Sequence, residues 1–245
     1  MISSSPELAR AFLVCLVIGV AAYRLKVIRG SGFWSGAIVG MGILIFGGWS
    51  LFGIILSFFV LAGIATKYKY EKKKARGVAE REKGARGAGN VFGNGLLALI
   101  LAVLEGIFGG GYLLAGYLGA VSSVTSDTAG GEIGRLSKKN PVLITTFNEV
   151  PTGTEGAISM LGEIAEFGIA AVIAIIALIL GIGSGVFAGA RMIWITTVAG
   201  FFGANVDSLL GATVETNVSW WGNNMTNFAS SVAGAACAMV LWTML

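Results

Sequence analysis

The sequence predicts an all-α protein, a polytopic bundle of about eight transmembrane helices. Composition is the first observation behind this fold class: of 245 residues, 55% are hydrophobic and only 12% are charged, and the mean hydropathy is +0.81. Average soluble domains carry roughly 25% charged residues. The composition therefore argues against an ordinary water-soluble enzyme, and we expect one integral membrane domain over residues 1–245.

Eight apolar segments separated by short polar ones are the second observation. They are residues 8–23, 33–47, 48–66, 91–108, 110–126, 160–181, 185–204 and 226–244. Residues 33–66 exceed one ordinary span, so we divide them into two spans of ~16 residues, roughly 24 Å each, joined by a turn at Gly47-Gly48-Trp49-Ser50. Since these two spans are short, totals of six or seven remain open.

The placement of basic residues is the third observation. Fifteen of the 17 Lys and Arg residues lie in three loops, and nine of them are in the basic loop at about 67–89. Under the eight-span count this loop and the polar loop at about 127–157 lie on one side. Because Lys and Arg are enriched in cytoplasmic loops, we expect a multi-pass protein of the cell membrane whose polar side faces the cytoplasm.

Several classes of chemistry are excluded by residue content. The chain has no histidine, which excludes Ser-His-Asp hydrolases and histidine-ligated zinc or haem. Cys15 and Cys237 both lie in apolar runs, where cysteine behaves as a small hydrophobe. The 67–89 loop is most simply a topology determinant that binds anionic headgroups, so membrane lipids, and no nucleic acid, are the expected partners.

Carboxylates at the ends of apolar segments are the candidate metal ligands. Asp127 and Asp207 each lie at the predicted cytoplasmic end of a span, and charges at membrane depth cost about 2.5–3.5 kcal/mol, so they usually mark function. Glu132 would point about 140° from Asp127 on a continuous helix, and we expect Gly130-Gly131 to break that helix and bring both carboxylates together. Oxygen ligands suit Mg²⁺, although a helix cap is the alternative use of an acidic residue here.

Glycine-rich turns accompany these carboxylates and basic side chains. Residues 84–95, 126–134 and 205–215 are richer in polar residues than a connecting loop requires. Exposed backbone N–H groups in such turns bind phosphate. Carboxylates for Mg²⁺ and nests for phosphate are the components of a phosphoryl-transfer site, where positioning and charge neutralisation do most of the work.

The motifs themselves resemble a known family. They are Arg86-Gly87-Ala88-Gly89-Asn90-Val91-Phe92-Gly93-Asn94-Gly95, Ser126-Asp127-Thr128, Glu132-Ile133-Gly134, Ile144-Thr145-Thr146, Val150-Pro151-x-Gly153-Thr154, Asp207-Ser208-Leu209-Leu210-Gly211-Ala212-Thr213 and Asn223-Asn224-Met225-Thr226-Asn227-Phe228. In this order they resemble the membrane-bound phytyl-phosphate kinase family of prenyl salvage and vitamin E synthesis, from about residue 30 to the C-terminus. The chain departs from the family pattern at Ala129-Gly130-Gly131, Glu155, Glu215 and Asn224.

The resemblance implies a membrane kinase that converts a prenyl monophosphate (phytyl, farnesyl or geranylgeranyl) to its diphosphate, with CTP or another nucleoside triphosphate as donor. It implies that Asp127, Glu132 and Asp207 are catalytic and hold Mg²⁺. The implied substrate- and nucleotide-binding residues are Arg86, Asn90, Asn94, Ser126, Thr128, Lys138, Lys139, Thr145, Thr146, Gly153, Thr154, Asn205, Ser208, Asn224 and Asn227. A phosphate monoester is already an anionic nucleophile, so no histidine base is required.

Two other functions remain open from the sequence. One is a cytidylyltransferase or CDP-alcohol-type lipid enzyme, although the paired-aspartate signature Asp-Gly-x2-Ala-Arg of the latter does not occur. The other is a transporter of small molecules or ions, which predicts acidic residues near the middle of the membrane. Glycine-rich helix faces also permit a homodimer.

Overall fold

The structure is a computed structural model and describes residues 4–80, 84–183 and 186–245. Its helices are α1 (Ser5–Arg24), α2 (Gly30–Lys67), α3 (Tyr70–Ala75), α4 (Ala88–Phe108), α5 (Tyr112–Gly134), α6 (Met160–Ile179), α7 (Val186–Leu210) and α8 (Asn223–Met244). A π-helical turn, Gly211–Glu215, continues α7. In the loop between α5 and α6, β1 (Val142–Leu143) pairs antiparallel with β2 (Ala157–Ile158).

Helix α2 is broken in the middle. Its 38 residues would measure about 57 Å as a straight helix, nearly twice the ~30 Å hydrocarbon core of a bilayer. At Gly48 the backbone adopts φ 71° and ψ −171°, a left-handed conformation that glycine adopts without steric cost. The break matches the predicted division of residues 33–66, and Ser50 next to it donates a hydrogen bond to the Leu180 carbonyl at 2.8 Å.

Helix α5 occupies the centre of the bundle. Its residues 115–126 are all buried, and it packs against α2, α4, α6, α7 and α8. Small residues allow helices to approach closely. A Cβ at Gly119 would lie 2.5 Å from the carbonyl oxygen of Gly234, and a Cβ at Gly234 would lie 2.8 Å from the carbonyl oxygen of Gly119. The crossing of α5 and α8 therefore requires both glycines.

The remaining long helices surround α5 with apolar surfaces. Six helices of the described chain, all but α3 and α5, are long and apolar enough to cross a membrane. Large apolar side chains such as Phe12, Trp34 and Ile164 are exposed on their outer faces. The predicted all-α polytopic bundle is confirmed. The predicted helix break at Gly130-Gly131 is wrong, because α5 continues without interruption to Gly134.

Substitution of Gly119 by Ala tests the central crossing. The added methyl group meets backbone, which cannot move aside, and overpacking of this kind typically costs 1–3 kcal/mol. We expect Gly119→Ala to lower the thermal unfolding midpoint, measured by circular dichroism in detergent. The matched control is Gly168→Ala on α6, where the new Cβ meets nothing within 4 Å and helix propensity rises. Equal midpoints for the two variants would contradict this packing.

Candidate functional site

A polar cavity of about 470 Å³ opens at one end of the bundle. Its walls come from the segment before α4, the end of α5, the β1–β2 loop, the start of α6, the end of α7 and the start of α8. Eleven residues predicted from the sequence line it: Arg86, Asn90, Asp127, Thr128, Glu132, Gly153, Thr154, Asp207, Ser208, Asn224 and Asn227. Motifs far apart in the sequence thus share one cavity.

The other predicted residues lie off the cavity wall. They are Asn94, Ser126, Lys138, Lys139, Thr145, Thr146 and Asn205. The two lysines and two threonines are exposed in the α5–α6 loop, and Ser126 is buried in α5. Asn205 donates a hydrogen bond to the Phe201 carbonyl within α7 at 3.1 Å. Their roles in substrate binding stay predictions.

The two aspartates of the sequence meet in this cavity. Asp127 on α5 and Asp207 on α7 interact directly through their carboxyl groups. Ser230 on α8 donates a hydrogen bond to Asp207 Oδ2 at 2.8 Å, which fixes that side chain. Because like charges at short range repel, the pair favours a cation between or beside its oxygens.

Glu166 on α6 is another acidic residue of the cavity, and it was not among the site residues that the sequence implied. It is buried and interacts electrostatically with both aspartates, and its Oε2 has no hydrogen-bond partner in the described chain. Gly130 makes its approach possible, since a Cβ there would collide with the Glu166 side chain. Gly130 thus permits close packing of α5 and α6, whereas a Cβ at Gly131 would meet nothing within 4 Å.

The Glu132 carboxylate pairs with a lysine, whereas Asp127 interacts with Asp207. Glu132 forms a buried ion pair with Lys73 of α3, and Arg135 donates to its other oxygen, Oε1, at 3.0 Å. Lys73 also donates to the carbonyl oxygens of Ala65 and Thr66, at 3.0 and 2.8 Å. Both carboxylate oxygens of Glu132 are therefore engaged, and the pair fixes the basic segment after α2 to the end of α5.

Three arginines, Arg29, Arg86 and Arg135, line the cavity, and the last two interact with its carboxylates. Arg135 pairs with Glu80 at 2.9 Å; burial opposes its charge, but the carboxylates of Glu132 and Glu80 outweigh burial and raise its pKa. Burial lowers the pKa of Arg86, and the carboxylates of Glu80, Glu132 and Asp127 oppose this shift. Arginine remains protonated in proteins, so Arg86 and Arg135 both keep their positive charge at the cavity wall. Arg135 was not among the binding residues that the sequence implied.

A chain of side-chain amides connects Arg86 with Asp207. Arg86 donates to Asn90 Oδ1 at 2.7 Å, and Asn94 donates to the Asn90 carbonyl at 2.8 Å. The Asn227 amide is oriented so that its oxygen faces a donor and its nitrogen faces acceptors. In this orientation the nitrogen lies 3.2 Å from Asp207 Oδ2, and the oxygen lies 3.1 Å from Asn94 Nδ2. Asn94, which lies off the cavity wall, thus orients the Asn227 amide, while its bond to Asn90 is made to the backbone carbonyl one helical turn earlier.

The donor set fits a magnesium ion bound through phosphate. In the described part of the chain, no three Cys, Asp or Glu side chains converge closely enough to hold a metal by themselves. Mg²⁺ is usually bound by one or two carboxylates together with waters and substrate phosphates. The Asp127–Asp207 pair supplies such carboxylates, and the unpaired Glu166 oxygen adds a further acceptor nearby.

These features define an integral membrane protein with an acidic and arginine-lined cavity at one end of its helical bundle. The chain belongs to the family described as integral membrane protein DUF92, whose model matches residues 13–235. The family resemblance drawn from the motifs is confirmed at this level. No solved structure matches the chain.

Curated relatives come from bacteria, archaea and plants. An uncharacterised membrane protein of Synechocystis is 34% identical over 96% of this chain and 90% of its own length. One from Methanocaldococcus jannaschii is 32% identical over 98% of both chains. Protein VTE6, chloroplastic, of Arabidopsis thaliana is 35% identical over 66% of this chain and 51% of its own length.

Replacement of Lys73 tests the buried ion pair. Lys73→Met leaves a buried carboxylate with one partner fewer, and breaking such pairs typically costs about 3–5 kcal/mol. We expect the thermal unfolding midpoint in detergent to fall by several degrees. Lys74→Met, at an exposed neighbouring position of α3, is the matched control and should leave the thermal unfolding midpoint unchanged. If Lys74→Met lowered the unfolding midpoint as much as Lys73→Met, a special role of Lys73 in stability would be refuted.

Proposed function

We propose that this protein is a membrane kinase that transfers the terminal phosphoryl group of a nucleoside triphosphate, CTP by preference, to a prenyl monophosphate. The product is the prenyl diphosphate. Three lines support the proposal: the ordered motifs that resemble phytyl-phosphate kinases, the relatives that include VTE6 of Arabidopsis over part of its length, and the charge arrangement of the cavity. The concentration of Lys and Arg in the loops at this end supports a site that faces the cytoplasm.

The convergence of both aspartates with Arg86 and Arg135 in one cavity is the observation that carries the proposal. Phosphoryl transfer needs little covalent chemistry from the protein and depends on positioning and charge neutralisation. The arginines bind phosphate oxygens bidentately. A Mg²⁺ ion held by Asp127 and Asp207 would neutralise charge on the nucleotide phosphates.

The acceptor needs no general base in this scheme. A phosphate monoester is largely ionised near neutral pH, so its oxygen attacks the terminal phosphorus while the bond from that phosphorus to the bridging oxygen of the donor breaks. In this proposal Arg86 and Asn90 hold the acceptor phosphate; their position where the cavity meets the apolar helices α1, α2 and α4 supports this role. The position of the acidic groups at one end of the bundle favours a kinase over a transporter, for which acidic groups near mid-membrane are expected.

Turnover by the purified protein tests the proposal directly. Protein in detergent micelles is incubated with Mg²⁺, CTP and geranylgeranyl or phytyl monophosphate, and products are separated by thin-layer chromatography and mass spectrometry. We expect the diphosphate and CDP in equal amounts. No diphosphate with any nucleoside triphosphate or prenyl chain would overturn the proposed function, whereas a CDP-linked lipid with release of pyrophosphate would indicate the cytidylyltransferase instead.

Neutralisation of the aspartates tests the assignment of the site. Asp127→Asn and Asp207→Asn each remove a negative oxygen from the nucleotide and Mg²⁺ site, and loss of one group that acts on transition-state charge typically costs 100-fold or more in kcat. We expect that loss in both variants. Glu71→Gln, an exposed carboxylate on α3, is the control and should keep full activity. Near-normal kcat in Asp127→Asn would remove this residue from the site.

A further inference from the structure

A second cavity of about 130 Å³, almost purely apolar, lies between α1, α2 and α4. Three glycines four residues apart, Gly32, Gly36 and Gly40, line it on α2, together with apolar side chains that include Phe33 and Phe58. Glycines at this spacing lie on one face of a helix and leave a flat, side-chain-free strip. We call this cavity the α1–α2 groove.

The α1–α2 groove and the polar cavity share two residues, Arg86 and Asn90. They form a boundary with polar chemistry on one side and hydrocarbon on the other. The Arg86 guanidinium contacts both environments, because it donates to Asn90 Oδ1 at 2.7 Å and lies 5.7 Å from the centroid of the Phe58 ring. A ligand placed across this boundary would bear an anionic head and an apolar chain.

The local backbone fixes Arg86 at this boundary. Its N–H donates to the Val27 carbonyl and its carbonyl accepts from the Arg29 N–H, both at 3.0 Å. Gly32 lies against the same carbonyl so closely that a Cβ there would collide with it. The loop after α1 and the start of α2 therefore hold the phosphate-binding arginine at the mouth of the groove.

Phe52 and Cys15 border the groove at the end opposite its mouth. A Cβ at Gly40 would be in ordinary van der Waals contact with them, 3.4 Å from the Phe52 ring and 3.5 Å from Cys15 Sγ. Gly32 and Gly40 are eight residues apart, which is about 12 Å along a helix. Gly36 lies halfway, and a Cβ at that position meets nothing within 4 Å. The free volume therefore lies over the middle of the glycine strip.

We propose that the α1–α2 groove binds the isoprenoid chain of the acceptor, with its phosphate at Arg86 and Asn90 and its first isoprene units along the strip Gly32–Gly36–Gly40. This assignment rests on the proposed kinase function and adds the structural basis of substrate selection. The flat glycine strip accommodates the methyl branches of an isoprenoid, and the aromatic rings pack against its double bonds. Longer chains continue past the groove into the surrounding lipid.

Filling the groove at Gly36 tests the proposal. Gly36→Leu places a side chain in the open middle of the strip, about 6 Å from its mouth. We expect the KM for geranylgeranyl monophosphate to rise about tenfold or more, as for a blocked apolar pocket, while the KM for CTP is unchanged. Dimethylallyl monophosphate, whose single isoprene unit ends before Gly36, should be turned over equally by the variant and the parent protein.

Gly63→Leu is the matched control, because Gly63 lies on the same helix, also meets nothing within 4 Å and does not line the groove. It should leave both KM values within about twofold of the parent. Equal KM increases in Gly36→Leu and Gly63→Leu, or none in either, would overturn the proposal. So would a rise in the KM for CTP that accompanies the rise for the acceptor.

A binding measurement without turnover separates this proposal from the kinase assignment. Cys15 lines the groove and Cys237 on α8 does not, so alkylation by N-ethylmaleimide in the absence of nucleotide reports on occupancy. We expect geranylgeranyl monophosphate to slow alkylation of Cys15 severalfold in the parent protein and not in Gly36→Leu, with Cys237 unaffected. This result without any diphosphate formation would support the groove and reject the kinase.

Two outcomes of the same measurement would reject the groove. If Cys15 is alkylated at the same rate with and without geranylgeranyl monophosphate while the diphosphate is formed, the chain binds elsewhere and the kinase assignment stands. If phosphatidylglycerol in the micelles slows alkylation of Cys15 and the isoprenoid adds nothing, the groove is a site for bulk membrane lipid.

Discussion

The interaction between the carboxyl groups of Asp127 and Asp207 inside the bundle is the constraint on which the candidate site depends. Two carboxylates that interact directly inside a helical bundle repel each other unless a cation or a proton intervenes. This repulsion does not separate the helices, because small residues hold α5 and α7 together along their buried faces. Gly200 and Gly203 of α7 pack directly on Ser122 and Ser123 of α5. The site thus lies at the end of a closely packed pair of helices.

The surrounding charges are divided between two tasks. Lys73 neutralises Glu132 and fixes the basic segment to the bundle, so this carboxylate contributes to architecture. Arg86 and Arg135 line the cavity beside the aspartates and are suited to anionic oxygens. Glu155 in the β1–β2 loop joins this region, where burial, followed by repulsion from Glu215, raises its pKa. An anionic ligand that carries a bound cation matches this combination of acidic and basic groups better than an anion alone or a cation alone would.

Much of this could be predicted from the sequence, and the failures have physical causes. Hydropathy located every long helix and the break in α2, because long apolar segments and a Gly-Gly pair are local signals. The break at Gly130-Gly131 was predicted on the same local grounds and is wrong: α5 is continuous there, and the small size of Gly130 serves its packing against Glu166. The partnership of Lys73 with Glu132 joins residues 59 positions apart, and one sequence contains no signal for such a pair. Glu166 was not among the residues implied by the sequence, and only the fold shows that it interacts with both aspartates.

The most direct test is the response of stability to magnesium when the aspartate pair is neutralised. Thermal unfolding is followed in detergent for the parent protein and for the double variant Asp127→Asn/Asp207→Asn, with and without Mg²⁺ and CTP. Removal of like-charge repulsion predicts a higher midpoint for the double variant in the absence of metal. Binding to the folded state predicts that Mg²⁺ with CTP raises the midpoint of the parent and not that of the double variant. Equal shifts in both proteins would contradict the assignment of this pair as the cation site.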